Sequence, residues 1–499
     1  MNMEKDKMTE IIDTITSKEE MLGRINKMNS YGTRLTGSKG QNEFIGWLKK
    51  EINDMGLETY SDPYFFNRWE EKESHLYVHS DLDTKEIHIS SVFPYSGETD
   101  ENGIEGKLIY VNEKHLGFAP AKDNIAVVNI DELDFLPSTL AFHKRRSLPE
   151  DLDIPEKYNG PVATAFVNFP FLQSAKAAGC KAVICIWRKM SDKMIEGQYL
   201  PFILDYQGIP AIWVNSSDGD KLLSAARSHL KATLQLTAEK ENNAKTETFY
   251  TVIPGKNREE AIIINTHTDG VNCVEENGPI ALLSMLKYFK DKELDRTLIF
   301  VFVTGHFRLP NFKTQSGGGV QATSKWLAAH PDLWDGKKGH LKAVACVSVE
   351  HLGCKMYKDV AGDYEEVHGV DPELVYTGNQ QLDDIYYEAL EGRTKVNTIT
   401  LRGHNFLHFG EGQPPFNVGI PETSLVTAPD YLTVISDTHE MEKFDIDLMY
   451  EQTETFIKIV NKLLSLDTAS IGKCDGYSLV FPNGEPLVMR AVRKLIKKK

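Results

Sequence analysis

Ala261-Ile-Ile-Ile-Asn-Thr-His267-Thr-Asp269 is a run of apolar, largely β-branched residues that stops on a histidine and an acid. Two later runs do the same: Thr297-Leu-Ile-Phe-Val-Phe-Val-Thr-Gly-His306 and Ala343-Val-Ala-Cys-Val-Ser-Val-Glu350-His351. Each is short and continuously apolar, as a strand covered on both faces should be. Helix-like stretches separate the three, which predicts a parallel α/β sheet. In such sheets ligands bind beyond the carboxyl ends of the strands. His267, Asp269, His306, Glu350 and His351 are therefore expected at one rim. Imidazole and carboxylate are the donors that a zinc-type site uses.

Outward from these strands, the bulk composition narrows the function. A chain of 499 residues exceeds one ordinary core, so two or three domains are expected. A hydrophobic content of 41% is ample for packed cores and excludes a disordered protein. The net charge of −16 argues against nucleic acid and anionic membrane as main partners, because both attract basic surfaces. The first ten residues, Met1-Asn-Met-Glu-Lys-Asp-Lys-Met-Thr-Glu10, lack the apolar centre of a signal peptide. No run approaches the length of a membrane span. A cytoplasmic location is the expectation. The six cysteines form no CxxC pair and read as buried thiols in a reducing compartment.

Apolar spacing predicts helices over residues 8–58, interrupted by Asn29-Ser-Tyr-Gly-Thr-Arg-Leu-Thr-Gly-Ser-Lys-Gly40. In Gln41–Met55 the apolar positions are Phe44, Ile45, Trp47, Leu48, Ile52 and Met55, and Gly56 is a natural stop. From residue 76 to about 240 short strands dominate: Gly106–Val111, Ile125–Ile130, Ala182–Trp187 and Ala211–Val214. Helices are expected near Phe171–Ala178 and Asp218–His229. This change of texture suggests a small domain inserted into a larger one. The chain ends in a basic stretch from Arg490 to Lys499, read as a solvated tail.

The order of these features resembles a known family. A Gly32-Thr-Arg-Leu-Thr-Gly-Ser38 loop precedes the strand ending His267-Thr-Asp269. An acidic turn, Glu275-Glu276-Asn277-Gly278, then enters a helix, and a later strand ends in Glu350 ahead of Gly353. This pattern is similar to the dizinc aminopeptidases of metallopeptidase family 28, which include glutamate carboxypeptidase and the transferrin receptor. Ser174-Ala-Lys-Ala-Ala-Gly-Cys-Lys-Ala-Val-Ile184 and Gly208-Ile-Pro-Ala-Ile-Trp-Val214 resemble the protease-associated domain of that family. The resemblance implies an α/β fold with a mostly parallel mixed sheet flanked by helices. It assigns residues 1–75 and 245–465 to a discontinuous peptidase-like domain. Residues 76–244 become an inserted protease-associated-like domain, and 466–499 a C-terminal extension.

The same resemblance implies a site. His267 would bind a zinc ion, with Asp269 orienting it. Glu276 stands where the family bridges two ions, and Glu350 where it has a carboxylate ligand. Gly305 and His306 replace two successive glutamates, the first a base and the second a ligand. His306 can therefore serve as ligand or as base. Leu432 takes the place of the family's last histidine, which leaves His439, His404 or His408 as stand-ins. Glu275, Glu411 or an unbound His306 are the candidate proton carriers, with Asp269 behind them. His351 is expected to point away if its strand continues. The implied cofactor is one or two zinc ions, with manganese or cobalt as substitutes. The implied partner is a short peptide or other small amide, and the chain admits a homodimer. The competing expectation is a relative without catalysis, acting as a binding or structural protein.

Overall fold

The computed structural model describes residues 15–112, 117–131, 137–154, 160–167, 171–202, 204–308, 322–404, 408–435 and 441–475. The expected helical turns before residue 15 and the basic tail from 476 lie outside them. Nine strands carry the main architecture: β1 (Thr59–His79), β2 (Lys144–Leu148), β3 (Lys231–Ile253), β4 (Asn257–His267), β5 (Arg296–Val303), β6 (Lys342–Val349), β7 (Glu373–Thr377), β8 (Thr398–Arg402) and β9 (Glu422–Thr427). The main sheet runs β3-β5-β4-β6-β9-β7-β8-β2. Its centre, β5-β4-β6-β9, is parallel, while β3, β7 and β2 pair antiparallel with β5, β9 and β8. The expected mostly parallel mixed sheet is the observed one.

The central strands are apolar because both faces are covered. Every residue of β5 is buried, as is β4 from Ala261 to His267. Among the helices that flank the sheet are α1 (Lys18–Asn29), α2 (Lys39–Asp54), α3 (Gly278–Phe289) and α4 (Ile446–Ser465). Of α3 only Lys287 reaches the surface, so this helix sits inside the core against α1, α2, α4 and the sheet. Each large aliphatic side chain so buried contributes ~1.5–3 kcal/mol. Helix entries follow local chemistry. The Ser17 hydroxyl accepts from the Glu20 amide and the Ser38 hydroxyl from the Gln41 amide, each a short-range cap.

A second set of strands, Ser91–Val92, Ala211–Val214, Ala182–Trp187, Ile125–Ile130 and Ile104–Tyr110, lies in that order. These strands come from the segment expected as an insertion. Ile104–Tyr110 pairs with the start of β3, whereas the end of β3 pairs with β5. β3 thus belongs to both parts, and β1 runs antiparallel beside it from Thr59 at Thr251 to His79 at Lys231. The boundaries placed at 75 and 245 therefore fall within one long ribbon. One piece of the segment, β2, leaves its neighbours and closes the far edge of the main sheet against β8. No helix among the described residues is long and apolar enough to cross a membrane. None of the six cysteines is in a disulfide, and five of them are buried.

Register sets the rim. His267 lies opposite Val303, and Asn265 opposite Ser348. Glu350, two residues beyond Ser348, therefore comes level with His267, and the Thr304-Gly305-His306 turn emerges beside both.

Candidate metal centre

His267 ends β4 fully buried. Its Nδ1 lies 2.9 Å from the carbonyl of Asp269. A carbonyl only accepts, so Nδ1 carries the proton and Nε2 keeps its lone pair. That Nε2 is buried without a hydrogen-bond partner. Burial, with His306 and His351 nearby, holds the imidazole well below its usual pKa, so it is neutral. A neutral imidazole with a fixed tautomer is the form that binds a metal.

The Asp269 carboxylate does something other than orient His267. It accepts from the Thr36 hydroxyl and from the amides of Gly305 at 3.1 Å and Phe307 at 3.0 Å. It therefore ties the Arg34–Ser38 loop to the turn after β5. Gly305 sits at φ +104°, where a side chain is disfavoured, which accounts for a glycine before His306. Burial raises the Asp269 pKa against these hydrogen bonds.

His351 departs from expectation. β6 stops at Val349, and His351 adopts φ +54°. This left-handed backbone breaks strand alternation and turns the ring toward the site rather than away. Its Nδ1 donates to the Thr427 carbonyl at 2.8 Å, and its Nε2 is buried and unpartnered. Burial, then His306, pushes its pKa down to about 3.

Two carboxylates face these imidazoles. Glu275 Oε1 lies 3.7 Å from His267 Nε2 and 3.6 Å from His351 Nε2. Glu350 Oε2 lies 3.9 Å from each. Glu350 Oε1 accepts the Glu411 amide at 2.5 Å, but its Oε2 and the Oε2 of Glu275 have no hydrogen-bond partner. Burial raises Glu275 well above the carboxylate range, and burial with Glu411 pushes Glu350 up to about 8. Unpaired charges in such a place are costly, and a bound cation removes the cost. Donors around a tetrahedral ion with bonds of ~2.0–2.1 Å sit ~3.3–3.5 Å apart. The observed spacings are a few tenths of an ångström wider, so these residues fit a zinc-type ion. His267, Glu350 and His351 form one group able to hold a metal, and His267, Glu275 and His306 another.

His306 stacks on His267 with ring centroids 4.1 Å apart and planes at 11°. Its Nδ1 lies 2.7 Å from Glu411 Oε1. Burial alone would lower its pKa, but Glu411, Glu275 and Glu350 together raise it to about 10. Glu411 is held in turn by the amides of Ala322 at 3.2 Å and Thr323 at 2.7 Å. Glu411 and His306 thus form a fixed pair at the edge of the cluster.

Glu276 is ion-paired with Arg34, and both side chains are fully buried. It belongs to neither metal-capable group. Burial lowers the Arg34 pKa to about 9, which leaves it charged at neutral pH. His404 and His408 gather elsewhere: His408 stacks on Tyr376 and its Nε2 lies 3.9 Å from Glu422. His439 lies outside the described residues. Leu432 is buried, with its carbonyl accepting from Asn272 at 2.9 Å.

No protein-family model and no curated protein sequence matches the chain. Solved structures do. The aminopeptidase from Aneurinibacillus sp. strain AM-1 is 16% identical over 91% of this chain and 95% of its own, with a TM-score of 0.60. A zinc aminopeptidase from Bacillus subtilis is 14% identical over 91% and 97%, with a TM-score of 0.59. A peptidase M28 precursor from Shewanella amazonensis SB2B is 11% identical over 91% and 95%, with a TM-score of 0.60. The chain shares their fold. Sequence reasoning missed one residue beside the centre and the direction of another. Arg34 lies in the glycine-rich loop, but nothing local marks it as a partner of Glu276. His351 is at the rim as expected, but its left-handed backbone beyond Val349 turns it inward.

Proposed function

We propose that the protein is a metal-dependent hydrolase of a peptide or small amide bond, aminopeptidase-like in its reaction. The observation that carries this reading is the convergence of four buried donors, on His267, His351, Glu350 and Glu275, in a fold shared with zinc aminopeptidases. In this reading His267, His351 and Glu350 hold a zinc-type ion, a His₂Glu set that leaves a position open. When bound, such an ion supplies Lewis acidity to a substrate carbonyl and acidity to water. Glu275, made more basic by burial and held ionised when a cation is bound beside it, would take the proton from the attacking water. Glu411 holds the His306 ring at Nδ1, and His306 delivers a proton to the departing amine nitrogen. Asp269 keeps His306 in place by binding the amides on both sides of it, those of Gly305 and Phe307.

The test separates holding from catalysis. Glu275→Gln is expected to retain zinc, measured by plasma mass spectrometry, and to lose ~10²–10⁴-fold in turnover of aminoacyl anilides or dipeptides. His351→Ala is expected to lose the ion. Wild-type protein that carries no metal after purification without chelator, and gains none on reconstitution, would refute the reading.

A further inference from the structure

We propose that Arg34 serves as a built-in cation beside this centre, so that the site takes one metal ion and not two. The inference rests on the reading above and sets its stoichiometry. Glu275 and Glu276 are adjacent, fully buried acids. A Cβ on Gly270 would collide with oxygens of both, so the two carboxylates crowd one point. Two ionised acids in a buried pocket require positive charge close by. Glu275 faces the imidazoles of His267 and His351 and groups with His306, whereas Glu276 is ion-paired with the Arg34 guanidinium.

That guanidinium cannot be displaced easily. It donates to the carbonyls of Met28 at 3.1 Å and of Gly32, and to Asn272 at 3.4 Å. Its own backbone is bonded in both directions to Gly270, at 3.2 and 3.0 Å. The cation is therefore part of the same folded unit that carries Glu275 and Glu276. A divalent ion on Glu276 would have to sit against it, and like charges at that range repel strongly. The two metal-capable groups share His267, whose Nδ1 is taken by the Asp269 carbonyl, so that ring can serve one ion at a time. His306 gives its Nδ1 to Glu411, and Leu432 offers no donor side chain.

The experiment measures zinc per chain in chelator-stripped wild-type protein after reconstitution with excess zinc and desalting. One ion per chain is expected, and a calorimetric titration should follow a single-site curve. Two ions per chain would overturn the inference while leaving the hydrolase reading intact. No ion would overturn both. The double variant Arg34→Met with Glu276→Met removes the pair together, so neither charge is left buried alone. It is expected to keep one ion when circular dichroism shows it folded. Loss of that ion from the folded variant would mean that Glu276 is a ligand and would refute the assignment.

Discussion

Glu350 offers a test of the centre that needs no substrate. Its carboxyl is fully buried, and burial with Glu411 moves its pKa from 4.5 to about 8. An acid whose folded pKa lies above its unfolded value weakens the fold as pH rises. Below pH 4.5 it is protonated in both states and costs nothing. Between pH 4.5 and 8 the cost grows, and above 8 it is complete. At ~1.4 kcal/mol per pH unit the full cost is on the order of 5 kcal/mol in metal-free protein. Unfolding entropy of ~2 cal/mol/K per residue converts that to ~5 °C in Tm for a chain of this length. Glu350→Gln keeps the acceptor for the Glu411 amide but cannot ionise. Metal-free Glu350→Gln should therefore melt close to wild type at pH 5 and several degrees above it at pH 9. Saturating zinc should narrow the gap at pH 9 and lift wild type above the variant at pH 5, because a thousandfold excess over Kd stabilises wild type by ~4 kcal/mol and the variant by less. Differential scanning calorimetry at the two pH values, with chelator and with zinc, reads all four states. A Tm difference that stays constant with pH, or equal gains from zinc, would refute the argument.

Three other substitutions probe the supports. Asn265 donates to the Glu411 carbonyl at 3.0 Å and to Thr323 at 2.9 Å, so Asn265→Ala should lower kcat ~10-fold with zinc content unchanged. Unaltered kcat would remove Asn265 from the positioning of Glu411. Gly270→Ala drives a Cβ into the Glu275 and Glu276 carboxylates and should abolish zinc binding while destabilising the protein by ~1–3 kcal/mol. Normal zinc uptake by that variant would show the carboxylates lie elsewhere. Glu411→Gln removes the group that charges His306, so in metal-free protein the His306 titration, followed by NMR, should fall from about 10 toward the ordinary histidine value. No downward movement would mean that another acid holds the proton.

The strand pattern made much of the fold legible. A parallel strand buried on both faces must be apolar throughout, so Ala261–His267, Thr297–Val303 and Ala343–Val349 announced themselves, and the rim at their ends followed. The ribbon of β1 and β3 did not. Thr59–His79 is rich in charge and follows no clean alternation, and it is a strand because β3 pairs with it along its length. That pairing is between residues more than 150 apart, which local pattern cannot report. β2 is a strand for the same reason, its partner β8 lying some 250 residues away.

The candidate site divides along the same line. Sequence alone named His267, His306 and Glu350, because donors at the ends of apolar runs are conspicuous and expensive to bury, and the resemblance of their loops to those of the family added Glu275 and Glu411. Which of them share a pocket depended on backbone geometry that no composition encodes. The left-handed turn at His351 brought in a histidine expected to face away. The Asp269 carboxylate went to the amides around His306, leaving a carbonyl to fix His267. Arg34, arriving from a loop some 240 residues before Glu276, neutralised an acid that would otherwise have been counted as a ligand. Residue types set what the pocket can bind; long-range packing decided how many of its charges remain free to bind it.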